Sequence, residues 1–429
     1  MPDISSELLL KLKSHRLPGL DFGDDFICPK YDDQSILNIP GSIYQLMDIP
    51  PVGASPLNSE ILSPLGEGVR KVILILMDAL AFHRLRAWMV DDKDMVWNHL
   101  VADGLLAPLT SIVPSTTSSA ITTLWTGSSP AEHGIAGYEL LLKEYGIVAN
   151  MIEHKPITYR GGVGSLSQAG FSPDTFLPVS PITTHFKEHD VSPYAFQHYS
   201  IINSGLSRMF MEGANRQSFS TAADLWVNLR QLFERSPNER MYTWVYWGAV
   251  DGLSHFYGPD DERPKTEFAI FSSAFERFFI NEINTPERKD TLVILISDHG
   301  QIGTNKFETH YDLRNHPEFT RLLHILPTGE NRLAYLHVRP GKEESVKEYI
   351  DQTWPGQFIV LDSSHALEKG LLGPGEPYKR LPERLGELMA IARGDAYWWW
   401  AAKENPITGR HGGLSPDEML VPFLAARLG

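Results

Sequence analysis

Residues 71–78 read KVILILMD. Six consecutive apolar residues end on an acid, the pattern of a strand covered on both faces whose last residue emerges at a sheet edge. The pattern recurs twice. MYTWVYWGAV (241–250) runs into Asp251, and TLVILIS (291–297) runs into Asp298 and His299. Segments of helical character lie between these runs: AFHRLRAWMV (81–90), SFSTAADLWVNLRQLFERS (218–236), with Ser220 or Thr221 near its N-cap, and the amphipathic KTEFAIFSSAFERFFINEIN (265–284). A further strand is expected near GLLAPLTSIV (104–113), a buried helix over SAITTLWTG (119–127), and a helix then a strand over THFKEHD and VSPYAFQ (184–197). Strands alternating with helices predict an α/β fold with a mainly parallel sheet and helices on both faces.

The flanking regions differ in character. Residues 1–68 are rich in Pro, Gly, Ser and Asp and are expected to pack as an extension over the body. Residues 305–395 read as strand, helix, strand over NRLAYLHVRPG, KEESVKEYIDQTW and QFIVLDSS. They predict a small α+β insert or cap within a core of 69–304 and 396–429. AYWWWAA (396–402) is expected to return to that core as an aromatic strand, and DEMLVPFLAARLG (417–429) to close the chain as a short helix. The GGVG at 161–164 neither follows a clear strand nor opens a clear helix, so it reads as a loop and not a phosphate cradle.

Composition narrows the function. A net charge of −15 over 429 residues offers no basic field for a nucleic-acid polymer. A small anionic substrate stays compatible, because bound metals invert the local potential. Cys28 is the single cysteine, which excludes an intrachain disulfide and fits a reducing compartment. MPDISSELLLKLKSHRLPGL lacks a secretory apolar region of adequate length, and no apolar run reaches ~18 residues, so no membrane span is expected. A cytoplasmic location follows as an expectation.

Seven side chains stand out: Asp78, Thr117, Asp251, His255, Asp298, His299 and His411. Acids and imidazoles at strand ends are how an α/β enzyme builds a metal site, and seven groups suffice for two adjacent divalent metals acting at phosphorus. Each has a plainer reading. Asp78 suits a helix cap, Asp-His-Gly a turn, and His411 a surface loop. Asp251 and His255 share a face only if their segment is helical, with Gly258-Pro259 ending it. The hydroxyls of Ser115, Thr116, Thr117, Ser118 and Ser119 suit helix capping as well as nucleophilic attack.

The order of these segments resembles the nucleotide pyrophosphatase/phosphodiesterase branch of the alkaline phosphatase superfamily. LILMD carries Asp78, and VPSTTSSAITTLWTGSSPAEHGIAGYE (113–139) carries a P-x-x-T loop and a T-G-x-x-P-x-x-H-G-I run. DGLSHFYGP (251–259), SDHG (297–300) and the late His411-Gly412 complete the set. The resemblance implies an alkaline-phosphatase-like three-layer sandwich and a two-metal hydrolase, with zinc most often and Mn2+ or Mg2+ as alternatives. Thr117 becomes the nucleophile, forming a phospho-threonine. Asp251, His255 and His411 would hold one metal, and Asp78, Asp298, His299 and Thr117 the other. His133 is expected to be structural. The implied substrate is a small phosphorylated compound, a nucleotide among the candidates; oligomeric state is open. Where the family often carries Asn three residues after the nucleophile, this chain has Ala120, which leaves diester preference open unless a backbone amide or a residue of 199–212 substitutes. A phosphomonoesterase, phosphonate hydrolase or phosphomutase is the alternative on this scaffold, and an inactive binding protein a weaker one. A sulfatase is disfavoured, since no C/S-x-P-x-R motif occurs.

Overall fold

The run Lys71–Met77 forms the middle strand of a seven-stranded sheet. In this computed structural model, which describes residues 5–157 and 160–428, it pairs in parallel with Met241–Trp247 on one side and Thr291–Ile296 on the other. Residues 1–4 of the expected N-terminal segment and the closing Gly429 lie outside the described residues. Ser192–His198 and Asn215–Phe219 continue the parallel run beyond Met241–Trp247. Beyond Thr291–Ile296 come Leu420–Leu428, antiparallel, and then Leu105–Thr110.

Every residue of Lys71–Met77 is buried. Alternate side chains enter different layers, as the two-residue period of a strand requires. Val72, Leu74 and Leu76 join a cluster that includes Leu124 and Trp125, while Ile73, Ile75 and Met77 join Trp97, Trp226 and Phe275. The helices Thr117–Thr126 and Ile182–Glu188 contribute to the first cluster, and Ala222–Arg235 and Glu262–Phe275 to the second. The result is a mixed α/β fold around a mainly parallel central sheet. Leu8, Leu12, Ile36 and Tyr44, from the Pro/Gly-rich N-terminal part, are buried in the first cluster.

A second sheet of seven strands is antiparallel throughout. Phe358–Asp362, Leu388–Ala392, Leu333–Leu336 and Thr328–Glu330 come from the 305–395 region. Glu139–Leu142, Ile147–Asn150 and Lys155–Pro156 come from a stretch that carries no strand signal strong enough to read from sequence. The join is a single register position, Gly329 opposite Glu139.

Two expectations are corrected. The chain does not close on a helix: only Pro416–Met419 is helical, and Leu420–Leu428 is a strand. Periodicity cannot separate a short buried strand from a helix, and Pro422 argues against a central strand. Here Pro422 lies opposite Pro108, so the two missing N–H groups coincide at one register position. The aromatic segment is not a strand either. Tyr397, Trp398, Trp399 and Trp400 are all buried, which two-face alternation does not require, and Trp399 makes only an isolated bridge to Asp312. No helix among the described residues is long and apolar enough to cross a membrane.

Candidate active site

Three adjacent strands deliver their carboxyl ends to one edge of the main sheet. Asp78 directly follows Lys71–Met77, and its backbone N–H donates to Trp247 O at 3.0 Å. Asp298 and His299 follow Thr291–Ile296. Asp251 and His255 lie one turn apart on the short helix Ala249–Tyr257, with His255 Nε2 3.4 Å from Asp251 Oδ1. Gly258, at φ +99°, ends that helix. Thr117 is the first residue of its helix, with Thr116 as N-cap.

His411 arrives from far along the chain. Ser115 and Gly412 form an antiparallel bridge; Ser115 Oγ donates to Gly413 O at 2.7 Å and accepts from Gly412 N at 3.2 Å. This ties the loop before Thr117 to the His411 loop. Gly412 has φ +109°, and a Cβ there would lie 2.5 Å from Glu330 Cβ, so only glycine fits beside His411.

The donor atoms converge. Thr117 Oγ1 is 3.1 Å from His299 Nε2, which lies 3.5 Å from Asp78 Oδ1 and 3.5 Å from Asp298 Oδ2. Those two carboxylate oxygens are buried and have no hydrogen-bond partner. Their sister oxygens are held: Tyr246 OH donates to Asp78 Oδ2, and the backbone N–H groups of Ala79 and His299 donate to Asp298 Oδ1 at 3.2 and 3.0 Å. Asp78, Asp298 and His299 thus form one cluster able to hold a metal ion; Asp251, His299 and His411 form another. His299 belongs to both. His255 borders the second cluster through Asp251 and through its ring, 5.1 Å from that of His411.

The three histidines share one arrangement. Nδ1 of His255, His299 and His411 lies 2.8, 3.0 and 3.1 Å from the backbone oxygens of Gly409, Gly300 and Ser115. A carbonyl only accepts, so each Nδ1 carries a proton, and Nε2 is the ring atom each histidine can offer to a metal. This is the outer support that orients metal-binding imidazoles. Burial, then the neighbouring His299 and His255, pushes the His411 pKa well below its usual value, which keeps it neutral. Burial, then Asp298 and Asp251, pushes the Asp78 carboxyl well above the usual range. Buried, crowded carboxylates beside imidazoles that present Nε2 are a donor set that fits divalent metal.

A cleft of about 420 Å³ opens over Thr117, Asp251, His255 and His411, roofed by Tyr138, Glu139, Glu330 and Trp400 of the second sheet and its flanks. Burial raises the Glu330 carboxyl to about 8, and that of Glu139 to about 7. Phe256 lines the cleft; Tyr257 instead packs against the Arg263 guanidinium, 4.1 Å from its ring centre. A cavity of about 560 Å³ around Leu367 and Leu385 holds none of the seven residues.

His133 lies behind the Thr117 helix, with Nε2 3.0 Å from Thr123 Oγ1 and Nδ1 accepting from Ile135 N at 3.0 Å. Burial drives its pKa down to about 3. The folded state therefore excludes a proton that the unfolded chain, titrating near 6.5, takes up. Stability from this group is full above that value and is lost as pH falls towards the folded pKa, at about 1.4 kcal/mol per pH unit. His133→Gln should flatten the pH dependence of the unfolding free energy between about pH 6 and 4 by that slope. Urea titrations at several pH values measure it, and an unchanged slope would refute the assignment.

Sequence reading missed Tyr246, Gln301 and Glu330. Tyr246 is signalled only by a hydroxyl inside a buried run, which needs a partner. Gln301, next after SDHG, donates its side-chain amide to Asp251 Oδ1. Glu330 carries no sequence signal.

The chain matches the type I phosphodiesterase/nucleotide pyrophosphatase family over residues 72–414. It belongs to that family. No curated protein is a significant sequence match. Among solved structures, murine ectonucleotide pyrophosphatase/phosphodiesterase 5 superposes with a TM-score of 0.61 at 15% identity, over 83% of this chain and 88% of that one. An inactive threonine-to-alanine variant of the same murine protein, in complex with AMP, superposes at 0.59 and 14% identity, over the same 83% and 88%. Phosphonoacetate hydrolase from Sinorhizobium meliloti 1021, in complex with phosphonoformate, superposes at 0.59 and 16% identity, over 84% of this chain and 90% of that one. Identities this low establish a shared fold. Family and neighbours together support a hydrolase acting on phosphoryl compounds.

Proposed function

We propose that this member of the family is a two-metal phosphodiesterase with Thr117 as its nucleophile. The observation that carries the reading is the set of three Nδ1-anchored histidines gathered with Asp78, Asp251 and Asp298, where His299 Nε2 lies 3.5 Å from two carboxylate oxygens left without partners. Asp78, Asp298, His299 and Thr117 would hold one ion, and Asp251, His255 and His411 the other. Mixed imidazole and carboxylate donors favour zinc over magnesium. When bound, the two ions would lower the pKa of the Thr117 hydroxyl and offset charge on the phosphoryl group.

Thr117 Oγ gives up its proton to solvent and displaces the leaving oxygen in line. The Oγ–P bond forms, the P–O bond to the leaving group breaks, and that oxygen takes the electron pair. Water then cleaves the phospho-threonine and returns Oγ to the protein. The first amides of the Thr117–Thr126 helix lack intrahelical partners and suit phosphoryl oxygens, a role open here because Ala120 offers no side-chain donor. Residues 305–395, with Glu330, act as a cap over the cleft. Two separate cavities touch Thr117, which favours a phosphorus centre with two substituents. The single cysteine, buried, fits a cytoplasmic setting.

Nitrophenol release from bis-nitrophenyl phosphate should exceed release from the monoester and should stop with a chelator. Monoester preference would move the reading to a phosphomonoesterase. Added Zn2+ should also raise the thermal midpoint of chelator-stripped protein, because binding to the folded state alone stabilises it by mass action; at 100-fold excess over Kd the gain is about 2.7 kcal/mol. A midpoint that does not move with Zn2+, Mn2+ or Mg2+ would count against a metal centre.

A further inference from the structure

A second cavity, of about 120 Å³, shares Thr117, Asp251 and Ile152 with the large cleft and is otherwise walled by different residues. Ile121, Ile201, Leu206 and Phe210 make most of it apolar. Asp78 and Tyr246, which bond each other, line its catalytic end, and Gln197, Ser204 and Ser207 are the other polar side chains among those walls. Gln197 is only 4% exposed, and its Oε1 is buried without a hydrogen-bond partner. Its Nε2 donates to Ser207 Oγ at 3.1 Å, and Ser204 Oγ donates to the same oxygen at 2.9 Å.

The two ends of a glutamine amide are assigned by their hydrogen bonds. Turned over, Gln197 would accept from Ser207 and leave Nε2 unpaired instead. In either orientation one polar atom of a buried amide lacks a partner beside Thr117. A hydroxyl both donates and accepts, so it satisfies either orientation; a carboxylate or an ammonium satisfies only one. A space of about 120 Å³ suits a short chain and not a nucleoside.

Resting on the phosphodiesterase reading above, we propose that this cavity receives one ester substituent of the phosphorus centre, and that this substituent is a short hydroxyalkyl group. Gln197 reads its hydroxyl, and Ile121, Ile201, Leu206 and Phe210 cover its carbons. The large cleft takes the other substituent. The substrate class is then a hydroxyalkyl phosphodiester of the glycol or glyceryl type.

The test uses two isosteric diesters, nitrophenyl 2-hydroxyethyl phosphate and nitrophenyl propyl phosphate, with the metal-loaded full-length protein and a chelator control. The wild-type protein should favour the hydroxyethyl ester by about 10-fold or more in kcat/KM, since a site built to hydrogen-bond a hydroxyl rejects the analogue that lacks it. Gln197→Leu should abolish or invert that preference. Only turnover that yields hydroxyethyl phosphate is counted, because the ester's own 2-hydroxyl can also attack phosphorus and release nitrophenol as a cyclic phosphate forms. Chelator-sensitive turnover of both esters at equal rates would overturn this inference and leave the phosphodiesterase reading standing. No turnover of either ester would overturn both. A preference unchanged in Gln197→Leu would overturn the role of Gln197.

Discussion

Thr117→Ala is expected to lower kcat on a nitrophenyl diester by about 10⁴-fold or more, the scale on which removal of an enzyme nucleophile acts. The change removes one hydroxyl and one methyl group. Thr117 is 8% exposed, and its Oγ1 bonds His299 Nε2. Asp78, Asp298 and His299 keep their own supports from Tyr246, from the backbone N–H groups of Ala79 and His299, and from Gly300 O. Metal content by elemental analysis should therefore stay close to that of the unmodified protein, while turnover disappears. Thr117→Ser restores a hydroxyl at the same position and should recover most of the activity. If purified Thr117→Ala still turns over, the nucleophile lies elsewhere. Thr116 is the next hydroxyl to test, although it sits at the N-cap position, outside the helical turn.

The parts of this centre that sequence reveals are those that local rules control. Asp78, Asp298 and His299 end runs so apolar that only a buried strand explains them, and parallel strands deliver such ends to one edge. Asp251 and His255 need only one helical turn to share a face. His411 is different in kind. Nothing near it in the chain marks it out, and it joins the centre through the Ser115–Gly412 bridge, a contact between segments distant in sequence. Tyr246, Gln301 and Glu330 are harder still, because each matters through the atom it meets and not through any pattern it belongs to. The closing strand Leu420–Leu428 escaped for a related reason. An apolar run with a proline looks like a helix end until Pro108 is known to face it. Tertiary partners made these decisions, and a single sequence does not print them.

The same partners support a second large effect, at a distance from the chemistry. Arg332 and Glu418 form an ion pair with both side chains fully buried. Arg332 precedes Leu333–Leu336 of the second sheet, and Glu418 precedes Leu420–Leu428 of the main sheet, so the pair joins the two. The guanidinium donates to Glu418 through Nε at 2.8 Å and Nη2 at 3.0 Å, and through Nη1 to Ala396 O. Glu418 also accepts from Gly413 N at 2.8 Å, Ser415 N at 3.2 Å and Ser415 Oγ at 2.7 Å, which pins the loop that follows His411. Glu418→Gln leaves a buried guanidinium with no counter-charge. The expected loss is about 3–5 kcal/mol, as for other buried pairs broken on one side. A urea titration reads it. Replacing both partners by Met should recover only part of that loss, because Gly413 and Ser415 would still lack their acceptor. Since the loop also holds His411 in place, the single variant should bind Zn2+ more weakly, by about 10–100-fold, the usual cost of losing a support behind a metal ligand. A Glu418→Gln protein as stable as its parent, with Zn2+ affinity intact, would mean that the loop is held by the Ser115–Gly412 bridge alone.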